Sequence, residues 1–241
     1  MNRRLYIYII MCIALLTACQ DETDISAGRA ELELELTRAG RPAAVTTRAV
    51  DADLCVDIFD DEGDLISHYA AGQVPMKIVL VPGTFRLRAY TDNQTSWSTA
   101  NNGRGEACYS ADTTFEMEDD MVFRLKLNVP ATNYAVALQL PEHFHDLFPS
   151  YTFTLASGTR TFAITDSQKA FFNPADGGFS YALRATNADG ITHAHSAIDF
   201  PDVEVGKCFT VKYSYATSAN SGGVDIVITD DMETGDTNIN L

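Results

Sequence analysis

The sequence predicts an all-β chain of two tandem β-sandwich domains, Greek-key-like in arrangement. Three observations predict it. Thirteen Phe, ten Tyr and many Val, Ile and Thr favour strands. Short apolar–polar alternations recur at roughly 8–12 residue spacing, as in sandwiches rather than in a parallel α/β sheet. No window sustains a helical period with caps.

The first segment is not part of that fold. Asn2-Arg3-Arg4 precedes a mostly apolar run over 5–16, and Leu15-Leu16-Thr17-Ala18-Cys19 closes it. A basic start, an apolar stretch and small residues before a cysteine make a secretory signal. The run is shorter than the roughly 20 residues that a spanning helix needs. The pattern resembles a bacterial lipobox, which implies that residues 1–18 are removed and that Cys19 is lipidated. The sequence therefore divides into 1–18, signal peptide; 19–50, lipidated tether, first strand and linker; 51–129, first sandwich; 130–230, second sandwich; and 231–241, acidic tail.

Gln20-Asp21-Glu22-Thr23-Asp24 is polar and acidic, a solvated tether. It also resembles the acidic export signal beside the cysteine of Bacteroidetes lipoproteins sent to the outer face of the outer membrane. Residues 30–36 read Ala-Glu-Leu-Glu-Leu-Glu-Leu, a period-2 strand with leucines on one face and glutamates on the other. Residues 37–50 break that pattern with Gly40, Pro42 and two copies of Thr-Arg-Ala, and read as an exposed linker.

From residue 54 the strands come quickly. Residues 54–59 and 65–69 flank the acidic turn 60–64. Residues 77–81 and 84–90 flank Pro82-Gly83, with Phe85, Leu87 and Ala89 on one face. Residues 92–106 are Gly- and Asn-rich, a long loop around the sole Trp97. Residues 113–117 and 121–129 form a hairpin about Asp119-Asp120, in which Phe123, Leu125 and Leu127 alternate with Arg124 and Lys126. The domain joint falls at 128–132. Residues 133–140, 151–155, 162–164, 179–185, 207–215 and 224–229 are the strands of the second domain, and 142–148 is one helical turn.

Charge narrows the function. The formal charge is −16, and it becomes −18 once residues 1–18, with two basic and no acidic residues, are removed. Such a chain repels phosphate backbones, so nucleic acid is not a partner. It also repels anionic lipid headgroups, so the acyl chains must hold it to the membrane.

No P-loop, G-x-S-x-G or H-E-x-x-H motif occurs, and no residue is assigned a catalytic, cofactor or metal role. Gly103-Arg104-Gly105 lacks the third glycine of a dinucleotide loop. His143-x-His145 and His193-x-His195 would each share a strand face, with Asp146 or Asp199 to add an oxygen, but exposed loop histidines are the plainer reading. The acidic turn 60–64 lacks EF-hand spacing and reads as turn chemistry. Trp97, with Tyr90 and Tyr109, offers a stacking platform for sugar rings, against the plainer reading of a core plug. Cys55, Cys108 and Cys208 leave two readings open: one disulfide, such as Cys55–Cys108, or three buried thiols.

The order of these pieces resembles the Bacteroides lipoproteins grouped as domain of unknown function 4493, and more distantly the fimbrillin-like proteins. The carriers are the lipobox with Thr47-Arg48-Ala49, the stretches 56–66, 79–90 and 108–115, residues 144–151, and the closing stretch 221–226. The resemblance implies an outer-membrane-anchored cell-surface lipoprotein with a structural or adhesion role and no enzymatic activity. The alternative is a glycan- or ligand-binding lipoprotein of a nutrient-uptake system. Its partners are the outer membrane and other surface proteins or glycans. In fimbrillin-like proteins an Arg-directed cut removes the first strand and opens a groove, which puts Arg48 forward as a processing position; the plainer reading keeps residues 30–36 as a permanent strand of the sandwich and Thr-Arg-Ala as a flexible linker. Asp112-Thr113-Thr114 matches the O-glycosylation pattern of that phylum, with Thr113 as acceptor.

Overall fold

The computed structural model describes residues 28–39, 50–217 and 226–236. Cys19 and Arg48 lie outside them. The strands of the first half are β1 (Ala30–Arg38), β2 (Leu54–Phe59), β3 (Leu65–Tyr69), β4 (Lys77–Leu80), β5 (Gly83–Thr91), β6 (Ser110–Met117) and β7 (Val122–Val129). They form two sheets, β4-β1-β7 and β3-β2-β5-β6. One core fills the space between them. Leu32, Leu34 and Leu36 of β1 meet Leu54, Val56, Ile58, Phe85 and Leu87 there, all but Phe85 at 0–2 % exposure.

β1 belongs to this core and not to the tether. It lies between β4, antiparallel, and β7, parallel. Alternation makes this possible: leucines fill the core while Glu31, Glu33 and Glu35 stay on the outer face. Each buried leucine contributes about 1.5–3 kcal/mol, which ties β1 firmly to its neighbours.

The second half has β8 (Tyr134–Gln139), the single helical turn α1 (Phe144–Leu147), β9 (Ser150–Ser157), β10 (Arg160–Ile164), β11 (Lys169–Phe172), β12 (Phe179–Thr186), β13 (Thr192–Ala194), β14 (Ile198–Phe200), β15 (Lys207–Thr217) and β16 (Ile226–Asp236). The sheets are β11-β8-β15-β16 and β10-β9-β12-β13, with β14 also on β12. An aromatic core of Tyr134, Phe144, Phe148, Phe153, Phe172 and Phe209 lies between them.

The two sandwiches share one topology. In each, the first strand pairs antiparallel with the fourth and parallel with a late strand: β1 with β4 and β7, β8 with β11 and β15. In each, the second strand pairs with the third and the fifth: β2 with β3 and β5, β9 with β10 and β12. The second sandwich adds β16, which pairs antiparallel along β15 from Lys207–Asp236 to Thr217–Ile226. The acidic tail expected from residue 231 is therefore strand as far as Asp236. Backbone pairing with β15 overrides the weak strand preference of its aspartates.

Candidate functional site

Two features bear on function: the clamp on β1 and the joint between the sandwiches. The clamp begins on the outer face of the β4-β1-β7 sheet. Lys77 pairs with Glu31 and with Glu33 (3.2 Å), Arg124 with Glu33 (2.8 Å) and Lys126 with Glu35 (2.6 Å). A row of glutamates thus runs between Lys77 on one side and Arg124 and Lys126 on the other, the cross-strand complement that fixes register. All of these but Glu31 line a cleft of about 630 Å³ with Leu34, Met76 and Leu125.

At the end of β1, Arg38 donates to Asp51 (2.9 Å) and to Asp53 (2.5 Å), and its guanidinium lies 5.3 Å from the Tyr109 ring centroid. Burial alone would lower the Arg38 pKa, but Asp51 and Asp53 outweigh it and hold it above the ordinary value. Ala39 N–H donates to Val129 O, and Asp51 N–H to Leu36 O. Ala39 and Asp51 are therefore both pinned to the sheet.

The joint is built from the loop that carries Trp97. Arg160, first residue of β10, donates to Phe171 O (2.6 Å), to Ser98 O (3.2 Å) and to Gly103 O (2.5 Å). Its guanidinium also lies 5.2 Å from the ring centroids of Trp97 and Phe162 and 5.4 Å from that of Phe172. Desolvation lowers its pKa, opposed by Asp176 and Tyr134. Phe171 N–H donates to Arg104 O (2.7 Å) across the same joint. Trp97 and Ala107 pack on Ala135, Phe171 and Cys208. Asn133 accepts from Cys108 N–H and donates to Glu106 O. Gly105 sits at φ +82°, with Trp97 and Phe171 close against the space a side chain would need.

The residues of the expected stacking platform are spent on packing. Trp97 belongs to the joint. Tyr109 is 6 % exposed and offers no ring face to a sugar. Tyr90 is half-buried, with Arg88 over its ring at 5.0 Å. Thr113 pairs with Leu87 and shares the inward register of Phe115, so it is half-buried, while Thr114 faces outward.

Cys55, Cys108 and Cys208 are free and buried. Burial pushes the Cys108 thiol up to about 12. His143 and His145 sit at the helical turn and not on a strand, whereas His193, opposite the inward Ala185, and His195, whose N–H donates to Leu183 O, share one inward side. His143 precedes α1 with φ +62° and pairs with Asp146 (3.1 Å), whereas His145 on α1 reaches Asp166 (3.0 Å). His193 edges onto Phe148, and His195 onto Tyr213. In the turn 60–64, Asp64 N–H donates to the Asp60 carboxylate, a local fastening. Among the described residues no group of three or more His, Cys, Asp or Glu side chains is placed to hold a metal ion, and no helix is long and apolar enough to cross a membrane. The Arg160 joint was not foreseen: one arginine at a strand start gives no signal in sequence.

No curated protein matches this chain. Among solved structures, it is similar to a candidate cell adhesion protein from Bacteroides eggerthii at 12 % identity and TM-score 0.50, covering 87 % of this chain and 96 % of that one. A candidate cell adhesion protein from Bacteroides uniformis is similar at 13 % identity and TM-score 0.50, covering 87 % and 99 %. The fimbrial anchor protein Mfa2 from Porphyromonas gingivalis matches at 12 % identity and TM-score 0.38, covering 85 % and 97 %. At such identities the first two likenesses speak to fold alone. The family model described as a domain of unknown function (DUF4493) matches residues 26–241, so the chain belongs to that family.

Proposed function

We propose that this protein is a structural or adhesive component of the cell surface, held to the outer membrane by acyl chains on Cys19, and not an enzyme. The observation that carries the reading is the direction of β1. It runs parallel to β7, whose last residue, Val129, leads into the second sandwich. The N-terminal end of β1 therefore opens at the far end of the first sandwich. A tether from Cys19 enters there, and the second sandwich points away from the membrane. Two further facts support the reading. The fold is shared over 87 % of the chain with candidate cell adhesion proteins, and the Arg160 joint ties the second sandwich to the first, as a surface element under tension needs.

Cys19→Ala tests the anchor. The variant should lose membrane fractionation, and the acyl mass should vanish from the mature N-terminus. An unchanged membrane fraction with an unacylated N-terminus in the native protein would overturn it.

A further inference from the structure

We propose that the first sandwich pairs with a second copy of this chain through its open edge, β6 of each copy lying antiparallel against β7 of the other. The argument begins with the internal repeat. The late strand β15 of the second sandwich is covered along its outer edge by β16, an antiparallel strand whose sequence carries Asp230, Asp231, Glu233 and Asp236. Its counterpart β7 has no such cover. Among the described residues β7 pairs only with β1, so one side of its ladder is open. Its inward residues Phe123, Leu125 and Leu127 are only half-buried, although their β1 neighbours Leu32, Leu34 and Leu36 are sealed at 0–2 % exposure. A bare edge of eight residues is a docking template.

The charges identify the occupant. Outward on β7 stand Arg124 and Lys126, with side chains 71 % and 76 % exposed. The strand they accept should be acidic outside and apolar inside, as β1 already is on the other flank. β6 has that pattern: Asp112, Thr114 and Glu116 face out, while Phe115 and Met117 face in. It is also an edge strand, open beyond Ser110, whose N–H donates to Pro130 O, and it lies on the same side of the sandwich as β7, since Phe115 stacks on Phe123 at 5.3 Å. Setting Arg124 opposite Glu116 puts Lys126 opposite Thr114 and diagonal to both Asp112 and Glu116. Inward residues then meet inward residues.

Two twofold arrangements join these edges. An axis across the strands sets β7 on β7 and β6 on β6, cation on cation and acid on acid. An axis along the strands sets β6 on β7 twice, antiparallel and charge-matched. The second arrangement also leaves both β1 N-terminal ends pointing the same way, as two anchors in one membrane require. That last point rests on the proposed anchor. The charge argument does not.

Sedimentation velocity of the detergent-extracted mature protein tests the pairing. The native chain should be a dimer. D112K/E116K alters residues that form no ion pair among the described residues, and it should be monomeric. R124E/K126E should be monomeric too, and an equal mixture of the two variants should restore the dimer because both edges are then complementary. A native monomer, or a D112K/E116K dimer, would overturn the proposal whatever becomes of the anchor. If R124E/K126E does not fold, cross-linking decides. T114C mixed with K126C should join oxidatively, and neither should join alone; self-linking of T114C would contradict the arrangement.

Discussion

Arg160 of the second sandwich lays its guanidinium 5.2 Å from the ring centroid of Trp97 in the first. The two residues are 63 positions apart, yet this contact and the hydrogen bonds around it fasten the joint between the two sandwiches beside the Phe171–Arg104 and Asn133 contacts. Loss of Arg160 leaves the carbonyls of Ser98, Gly103 and Phe171 without their donor.

Arg160→Ala should uncouple the sandwiches. A charged hydrogen bond contributes about 1.5–3 kcal/mol, and a cation over a ring about 0.5–2. Calorimetry should show one transition in the native protein and two in the variant. Arg160→Lys should restore little, because an ammonium cannot span three carbonyls and lie flat on the rings. A single unchanged transition in Arg160→Ala would show that the joint is held elsewhere.

The inward register of the first sandwich yields a graded series. Leu34 is 2 % exposed, and its truncation to Ala should cost about 2–5 kcal/mol. Leu125 points the same way but is half-buried at the open edge, so Leu125→Ala should cost less. Lys126→Ala, which removes only an exposed ion pair with Glu35, should cost about 1 kcal/mol or less. Urea midpoints rank the three. Equal shifts for Leu125 and Lys126 would mean that the register is wrong.

Much of this was legible in the sequence because it is local. The Leu–Glu alternation of 30–36, the turn 60–64 and the helical turn near Phe144 follow from patterns within a few residues. The parallel pairings were not legible. Glu33 meets Arg124 across 91 positions, and nothing near either residue names the other. The shared topology of the two sandwiches was hidden for the same reason, since it is a repeat of pairing and not of motif. β13 and β14, three residues each, are too short to show alternation, and the aspartates of β16 read as tail until β15 supplies a partner. Trp97 was recognised as either plug or platform; only the position of Arg160 separates those roles.

Acid should loosen the α1 turn. The hydrogen bond from His145 is the largest influence holding Asp166 below the usual carboxylate range. A folded value below the unfolded one contributes stability above about pH 3.9 and loses it as pH falls through the folded value. The Asp166 side chain is 37 % exposed, so screening keeps the effect small, under about 1 kcal/mol. Asp166→Asn should lower the urea midpoint slightly at pH 5.5, and by less and less as the pH falls below about 3.9. A loss that does not shrink with falling pH would point to packing instead.

Surface display with the second sandwich outermost is tested most directly by labelling intact cells. Asp189 lies in the exposed turn between β12 and β13, at the end of the second sandwich away from the joint. A chain carrying Asp189→Cys should react with a membrane-impermeant maleimide on intact cells, and the labelled protein should leave the cells when Cys19→Ala is added. Labelling that appears only after the cells are broken would contradict it.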